Sequence, residues 1–193
     1  MTTEDLYVDG EERFGRITSF LFGLGSRLLD KYYSAIVNDL RGKKFDQLLD
    51  IGCGNGELLS RLAREFPGAK FYGLDPSQHM LDRARKNLSK KGLLQRVELR
   101  SGSSRVIPFE YKFDAVISSF SYHHWKGRDD SLSVIASHLS DKGFISIYEH
   151  DNTGKRFASS HGIDEREWNG LEIKGLRKSI EHKGGLIILT LAK

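Results

Sequence analysis

The sequence predicts one α/β domain built on a mostly parallel, doubly wound β-sheet. Short apolar runs bounded by glycines or charged residues alternate with stretches of three- and four-residue apolar spacing, which indicate strands and amphipathic helices. This alternation is typical of a parallel sheet covered by helices on both faces. Two further segments separated by Gly184-Gly185 predict an antiparallel hairpin at one edge of the sheet. With 193 residues, the chain is long enough for one domain with a substantial core.

The individual elements follow from these patterns in chain order. Apolar residues at helical spacing predict helices within Phe14–Leu40, divided near Gly23 and Gly25. Buried strands are expected at Gln47–Ile51, Lys70–Leu74, Val97–Arg100, Phe113–Ser119 and Gly143–Tyr148. Helices between them are expected at Glu57–Phe66, from an N-cap at Ser77 to Gly92, and at Ser131–Leu139. After one or two helical turns between Asp151 and Gly170, the hairpin strands are Glu172–Glu181 and Leu186–Leu191.

Composition narrows the classes of protein to which the chain can belong. The formal charge is +4, and the basic residues are interleaved with acids rather than gathered in the stripe that nucleic-acid binding favours. Cys53 is the single cysteine, so no intramolecular disulfide can form, and we expect a reducing, cytoplasmic location. The apolar run Ile17–Leu29 is too short and too charged to span a membrane. No cluster of metal ligands is visible, so no metal site is expected.

The most informative segment is Leu48–Leu59, with the sequence LLDIGCGNGELL. The predicted strand carries Asp50 near its end, and glycines follow at the alternate positions 52, 54 and 56. Glycines at a strand-to-helix turn let the backbone approach a ligand closely and adopt positive φ, and open α/β sheets bind ligands at such turns. A dinucleotide-binding turn would have its third glycine where Glu57 stands.

This turn, with an acid two residues before its first glycine, resembles the first motif of class I S-adenosylmethionine-dependent methyltransferases. The resemblance covers about residues 40–193 and implies a seven-stranded Rossmann-like sheet that binds S-adenosyl-L-methionine. Within the first motif it implies that the cofactor contacts Asp50, Gly52, Cys53, Gly54 and Gly56.

The second motif lies at the end of the second strand, in the segment YGLDPSQHMLDRAR. Its acid, Asp75, is placed to accept hydrogen bonds from both ribose hydroxyls of a nucleoside. The resemblance implies that Pro76 also lies beside the cofactor and that Met80 packs on the adenine. A core methionine at helical spacing explains Met80 equally well.

The loop after the third strand departs from the pattern of the family. Ser103 stands where the family often has an acid that bonds the adenine amino group. A serine hydroxyl can also accept that hydrogen bond, but it carries no charge to strengthen it. We therefore expect weaker discrimination of adenine from other bases. The backbone N–H of Ser104 is a further candidate contact to adenine.

The segment FDAVISSFSYHHW, Phe113–Trp125, ends where the family places the transferable methyl group. The resemblance implies cofactor contacts at Ser119 and Phe120. His124 is the first candidate for a catalytic base and His123 the second, because histidine titrates near neutral pH. Either ring could instead cap the next helix or pack against the cofactor. The candidate walls of the substrate site are aromatic residues that core packing could also explain: Tyr33, Tyr122 and Trp125.

We expect residues 1–193 to form a single methyltransferase domain, with an N-terminal helical lid at residues 14–40 and a cofactor-binding core at residues 41–193. The fourth-strand segment is similar to that of small-molecule methyltransferases and lacks the Asn-Pro-Pro signature of enzymes that methylate amide or exocyclic nitrogens. The predicted function is therefore methylation of a small molecule, such as an aromatic or quinone-type ring or a hydroxyl group. Two alternatives stay open: methylation of a protein or RNA in an open site, and a non-catalytic module that only binds the cofactor. The methylated atom and the oligomeric state are not predicted.

Overall fold

The computed structural model of the chain describes residues 26–154 and 162–193, and the predicted helical residues 14–25 lie outside these ranges. The helices are α1 (Ser26–Leu40), α2 (Glu57–Glu65), α3 (Gln78–Lys90), α4 (Arg128–Ser137) and α5 (Arg166–Asn169). The strands are β1 (Gln47–Ile51), β2 (Lys70–Asp75), β3 (Val97–Ser101), β4 (Phe113–Ser119), β5 (Leu139–Asp151), β6 (Gly162–Ile163), β7 (Arg177–Lys183) and β8 (Leu186–Ala192). Short 3₁₀ turns precede β3 at Leu94–Arg96 and follow β4 at Tyr122–His124.

The strands form one sheet in the order β3-β2-β1-β4-β5-β8-β7, and the two-residue β6 pairs with β5 outside this path. The pairs from β3 to β5 are parallel, whereas β8 is antiparallel to both β5 and β7. The predicted α/β fold with a C-terminal antiparallel hairpin is therefore confirmed, and β6 adds a short strand to the seven expected. Because the winding of the chain reverses between β1 and β4, the crevice at their carboxyl ends is the expected ligand site.

Alternate residues of the central strands face two separate hydrophobic cores. In β1, Leu48 packs on the face covered by α1, α2 and α3, and Leu49 packs on the face covered by α4 and α5. Both leucines are completely buried. Burial on both faces explains why the central strands are continuous apolar runs in the sequence.

The limits predicted for the helix at Ser131–Leu139 were wrong. In the structure α4 spans Arg128–Ser137, and Leu139 begins β5. Gly127 precedes the helix in the left-handed conformation (φ 59°), and two aspartates lie in its first turn. Acids are favoured there by the positive end of the helix dipole. Such polar signals do not register in a pattern of apolar spacing, which therefore predicts a start three residues late.

Two strands also differ from their predicted limits. β5 begins at Leu139 rather than at Gly143, because a register shift between Phe113 and Ala115 of β4 allows the earlier residues to pair. β7 begins at Arg177 rather than at Glu172. This outermost strand of the sheet is almost entirely exposed, so no alternation of buried residues marks where it starts.

The end of α1 is attached to the sheet by a polar cluster. Asp39 accepts hydrogen bonds from the Tyr148 hydroxyl and from the Lys43 ammonium, each at 2.8 Å, and Lys43 also donates to the Ser146 hydroxyl at 3.0 Å. These contacts fix α1 on β5. No helix within residues 26–154 and 162–193 has both the length and the apolar character needed to cross a membrane.

Candidate functional site

The turn between β1 and α2 requires glycine at several positions. Gly52, Gly54 and Gly56 all adopt positive φ, at 78°, 54° and 71°, a region that side chains disfavour. A Cβ atom on Gly52 would lie 2.6 Å from the Ser121 hydroxyl. The N–H groups of Gly52 and of the buried Cys53 donate to the Leu74 carbonyl at 2.8 and 2.9 Å. The turn is thus held against the end of β2 with bare backbone on its surface.

Two buried carboxylates flank this turn. Asp50 is 1% exposed, and neither of its oxygens has a hydrogen-bond partner among the described residues. Burial, with a smaller contribution from the Asp75 charge, raises the pKa of Asp50 to about 8. A buried polar group without a partner is costly. Asp50 therefore offers a site for a ligand that brings a hydrogen-bond donor or a positive charge.

Asp75 at the end of β2 is bound to the backbone around it. One carboxylate oxygen accepts from the Gly54 N–H and the other from the Ser77 N–H, each at 2.9 Å. Burial raises the pKa of Asp75 to about 6, although these two hydrogen bonds act in the opposite direction. Ser77 also accepts from the Met80 N–H at 3.4 Å, as expected for the N-cap of α3. The acid thus links the glycine turn to the start of α3.

Other predicted cofactor residues gather around the same edge. The Met80 methyl would lie 3.6 Å from a Cβ atom on Gly54, so this methionine borders the glycine turn. Ser103 accepts from the Arg105 N–H at 3.3 Å. The Ser104 hydroxyl lies 2.9 Å from the Ser131 hydroxyl, both buried, so it faces α4. Pro76 is half-buried beside Asp75. Their contacts with a cofactor stay a prediction.

Tyr33 of α1 belongs to the same neighbourhood. Burial raises the pKa of its hydroxyl to about 12, and the negative charges of Asp50 and Glu57 add to this effect. The Arg61 guanidinium lies over the ring, 5.6 Å from its centre. The charge of Asp50 therefore acts on Tyr33, while contact of Tyr33 with a substrate stays a prediction.

The residues after β4 form a strained corner beside the turn. Phe120 has a φ of 53° and is the one non-glycine residue of the described chain with positive φ, a conformation that costs about 1–3 kcal/mol. Its N–H donates to the Tyr148 carbonyl at 2.9 Å. The neighbouring Ser121 hydroxyl donates to the Ile51 carbonyl at 3.2 Å. Ser119 and Phe120 thus lie at the carboxyl ends of β4 and β1, where the sequence predicts them.

The two histidines lie together beside a buried acid. His123 places Nδ1 2.8 Å from Oε2 of Glu149, and its backbone N–H donates to Oε1 of the same carboxylate at 3.2 Å. Glu149 is fully buried. The rings of His123 and His124 are 3.9 Å apart. The sequence does not predict Glu149 as a site residue. The available signal is its position as an acid directly after the apolar run Gly143–Tyr148.

Tyr122 and Trp125 lie in the core rather than along an open wall. They are 3% and 9% exposed, and their rings are 5.2 Å apart. Tyr122 also contacts Trp168 of α5 at 5.8 Å, and the Arg128 guanidinium lies 4.7 Å from the centre of its ring. Core packing therefore accounts for both residues, and their contact with a substrate stays a prediction. No group of three or more His, Cys, Asp or Glu residues in the described ranges could hold a metal ion.

Comparisons with known proteins find methyltransferases among the similar sequences. A family model described as a methyltransferase domain matches residues 48–143, which include the glycine turn, Asp75 and both histidines. A demethylmenaquinone methyltransferase of Lactobacillus johnsonii is 32% identical over 112 residues, covering 57% of this chain and 46% of that protein. The chain spans about half the length, or less, of the first curated relatives that it matches, with shares of 6%, 46%, 47% and 53%.

Solved structures share the fold at low sequence identity. A SAM-dependent methyltransferase from Aquifex aeolicus has a TM-score of 0.77 at 20% identity, covering 93% of this chain and 98% of that one. The plantazolicin methyltransferase BamL, in complex with a triazolic desmethylPZN analog and SAH, has a TM-score of 0.72 at 15% identity, covering 89% and 88%. At these identities the likeness concerns the fold alone.

Proposed function

The chain belongs to the class I S-adenosylmethionine-dependent methyltransferases, and we propose that it transfers the methyl group of S-adenosylmethionine to a small molecule. The observation that carries this proposal is the Asp50 carboxylate, fully buried without a hydrogen-bond partner in the described chain, beside a turn of bare backbone. A nucleoside with an amino-acid tail fits this arrangement, because its ammonium group can pair with a buried acid and its hydroxyls can donate to a second one.

Each part of the site has a task in this proposal. Asp50 would hold the ammonium group and Asp75 the ribose hydroxyls, while the glycine turn allows close approach of the tail. Met80, Ser103 and the Ser104 N–H would contact the adenine, with Cys53 and Pro76 beside the nucleoside and Ser119 and Phe120 near the reacting end. When bound, the cofactor supplies an electrophilic methyl group.

The protein then has to hold the acceptor in place and exclude water. We assign the exclusion of water to α1, the described part of the lid that the sequence predicts at residues 14–40. Burial and the charge of Asp50 raise the pKa of Tyr33 on this helix to about 12. The relative from Lactobacillus johnsonii is named a demethylmenaquinone methyltransferase, which supports an acceptor that is neither protein nor RNA here.

An acceptor that still carries its proton needs a base, and the geometry favours His123 for this role. Nδ1 of His123 lies 2.8 Å from the Glu149 carboxylate. With the ring proton on Nδ1, Nε2 would be the atom that takes up the proton of the acceptor. A buried carboxylate in this position also stabilises the imidazolium that forms when the ring takes up a second proton. Glu149 is thus a positioning residue that acts through His123.

The proposal is tested by calorimetric titration with S-adenosylhomocysteine and, separately, with NAD⁺. We expect binding of the first alone, and its loss in Asp50→Asn. Radiolabelled S-adenosylmethionine is then incubated with the protein and with separated small-molecule, RNA and protein fractions. Label in the small-molecule fraction supports the proposal. Label in protein or RNA contradicts the acceptor class, and binding without any transfer contradicts the enzymatic role.

A further inference from the structure

Three half-buried aromatic rings meet at the carboxyl ends of β4 and β5. Phe120 stacks on His150 with ring centres 4.5 Å apart and an interplanar angle of 27°. Tyr32 of α1 meets His150 edge-on at 4.8 Å and Phe120 at 5.8 Å. We call these three residues the aromatic platform. None of them is fully buried, so the cluster differs from the two hydrophobic cores.

The backbone holds the platform in an unfavourable conformation. Phe120 carries its ring from a position with φ of 53°, where glycine would be far less strained. Such strain persists at ligand sites, where the surrounding structure imposes it. The next residue, Ser121, donates a hydrogen bond to the Ile51 carbonyl at the start of the glycine turn. The strained residue therefore joins the platform to the cofactor site.

The order of the strands gives the platform its place relative to the cofactor. The acids assigned to the cofactor lie on β1 and β2, and the adenine contacts follow β2 and β3, on one side of the sheet order. β4 and β5 lie on the other side of β1. Tyr33 bridges the two regions, with its ring 6.3 Å from Phe120 and its hydroxyl under the influence of Asp50. The platform thus lies next to the reacting end of the site.

We propose that the aromatic platform binds the methyl acceptor and that this acceptor is a planar aromatic molecule. The inference rests on the proposed function and deepens it. Offset and edge-on contacts between rings add to the gain from burial alone, which favours a planar acceptor over an aliphatic one.

The platform is tested with two probes of similar size, 2-naphthol and its saturated counterpart decahydro-2-naphthol. Each is titrated by ligand-observed NMR into the protein with S-adenosylhomocysteine bound. We expect 2-naphthol to bind at least fivefold more tightly. Tyr32→Leu and His150→Leu should each weaken its binding roughly 2- to 10-fold, the range that ring contacts supply, without changing the affinity for S-adenosylhomocysteine.

Tyr111→Leu is the matched control, because Tyr111 is 43% exposed and lies just before β4, at the opposite end of that strand. It should leave the binding of both probes unchanged. Equal affinity for the two probes, no binding of 2-naphthol, or unchanged binding in both platform variants would overturn the inference while S-adenosylhomocysteine still binds. A wild-type protein that does not bind S-adenosylhomocysteine overturns the proposed function itself.

Discussion

His123 meets both oxygens of the Glu149 carboxylate, through Nδ1 at 2.8 Å and through its backbone N–H at 3.2 Å. The exposed fractions of the two side chains are 7% and 0%. One acid on β5 therefore fixes both the ring and the backbone of the 3₁₀ turn after β4. The pair connects two neighbouring strands at the edge where the candidate site lies.

Replacing Glu149 by leucine should lower the free energy of unfolding by roughly 1–3 kcal/mol, because two buried donors lose their acceptor. Urea unfolding measures the change. The double variant with His123→Leu should recover part of the loss, since the ring donor is then absent as well. Additive effects of the two substitutions would contradict an energetic coupling between the residues.

Methyl transfer should depend more on His123 than on His124. We expect His123→Gln to lower the turnover rate at least tenfold. Loss of a general base usually lowers the rate roughly 100- to 10,000-fold, so tenfold is the smallest loss that fits the role. His124→Gln should have a smaller effect, and both variants should bind S-adenosylhomocysteine as the wild type does. The rates are compared with radiolabelled S-adenosylmethionine and its acceptor. A larger loss in His124→Gln would assign the base to that residue instead.

Local patterns predict the cofactor side of the site, whereas long-range pairing determines the rest. Gly52 and Asp75 can be selected because their neighbours in sequence form the turn and the cap around them. Glu149 lies 26 positions from His123 in the chain, and His150 reaches Phe120 only because β4 and β5 are adjacent. A single sequence gives no sign of such pairings. For the same reason Tyr122, predicted as a substrate wall, packs in the core against Trp168.

Gly52→Ala should destabilise the protein and abolish binding of S-adenosylhomocysteine. The new Cβ atom would lie 2.6 Å from the Ser121 hydroxyl at a φ of 78°, so both the contact and the backbone are unfavourable. Gly68→Ala is the control, because a Cβ atom on Gly68 would have nothing within 4 Å. Adding Ser121→Gly should relieve the contact and leave only the backbone strain. Thermal unfolding and calorimetry follow the effects, and an unaffected Gly52→Ala would rule out close packing here.

Asp75→Ala should weaken S-adenosylhomocysteine binding by roughly 1–3 kcal/mol, the cost of losing hydrogen bonds to a charged group. The substitution also frees the Gly54 and Ser77 N–H groups, which loosens the glycine turn. Ser103→Ala is a useful comparison, since a neutral hydroxyl contributes less than a carboxylate. Calorimetry that shows unchanged affinity in Asp75→Ala would remove this residue from the site.

Asp50 should make the stability of the cofactor-free protein fall as the pH rises. Its pKa is raised from 3.8 to about 8 in the folded chain, so between these values the folded state holds a proton that the unfolded chain has released. The favourable contribution is therefore complete at low pH and is lost as the pH rises toward 8. From pH 5 to pH 8 we expect a loss on the order of 3 kcal/mol from this group.

Asp50→Asn isolates that contribution, because the amide has nearly the same shape and does not titrate. Its unfolding free energy in urea should exceed that of the wild type by an amount that grows from pH 5 to pH 8. Asp75 titrates in the same direction, with a pKa of about 6, but it is present in both proteins. The same variant should bind S-adenosylhomocysteine weakly, since it gives up the charge that pairs with the ammonium group. A variant whose stability follows the wild type at every pH would show that Asp50 is ionised in the folded protein and already has a partner.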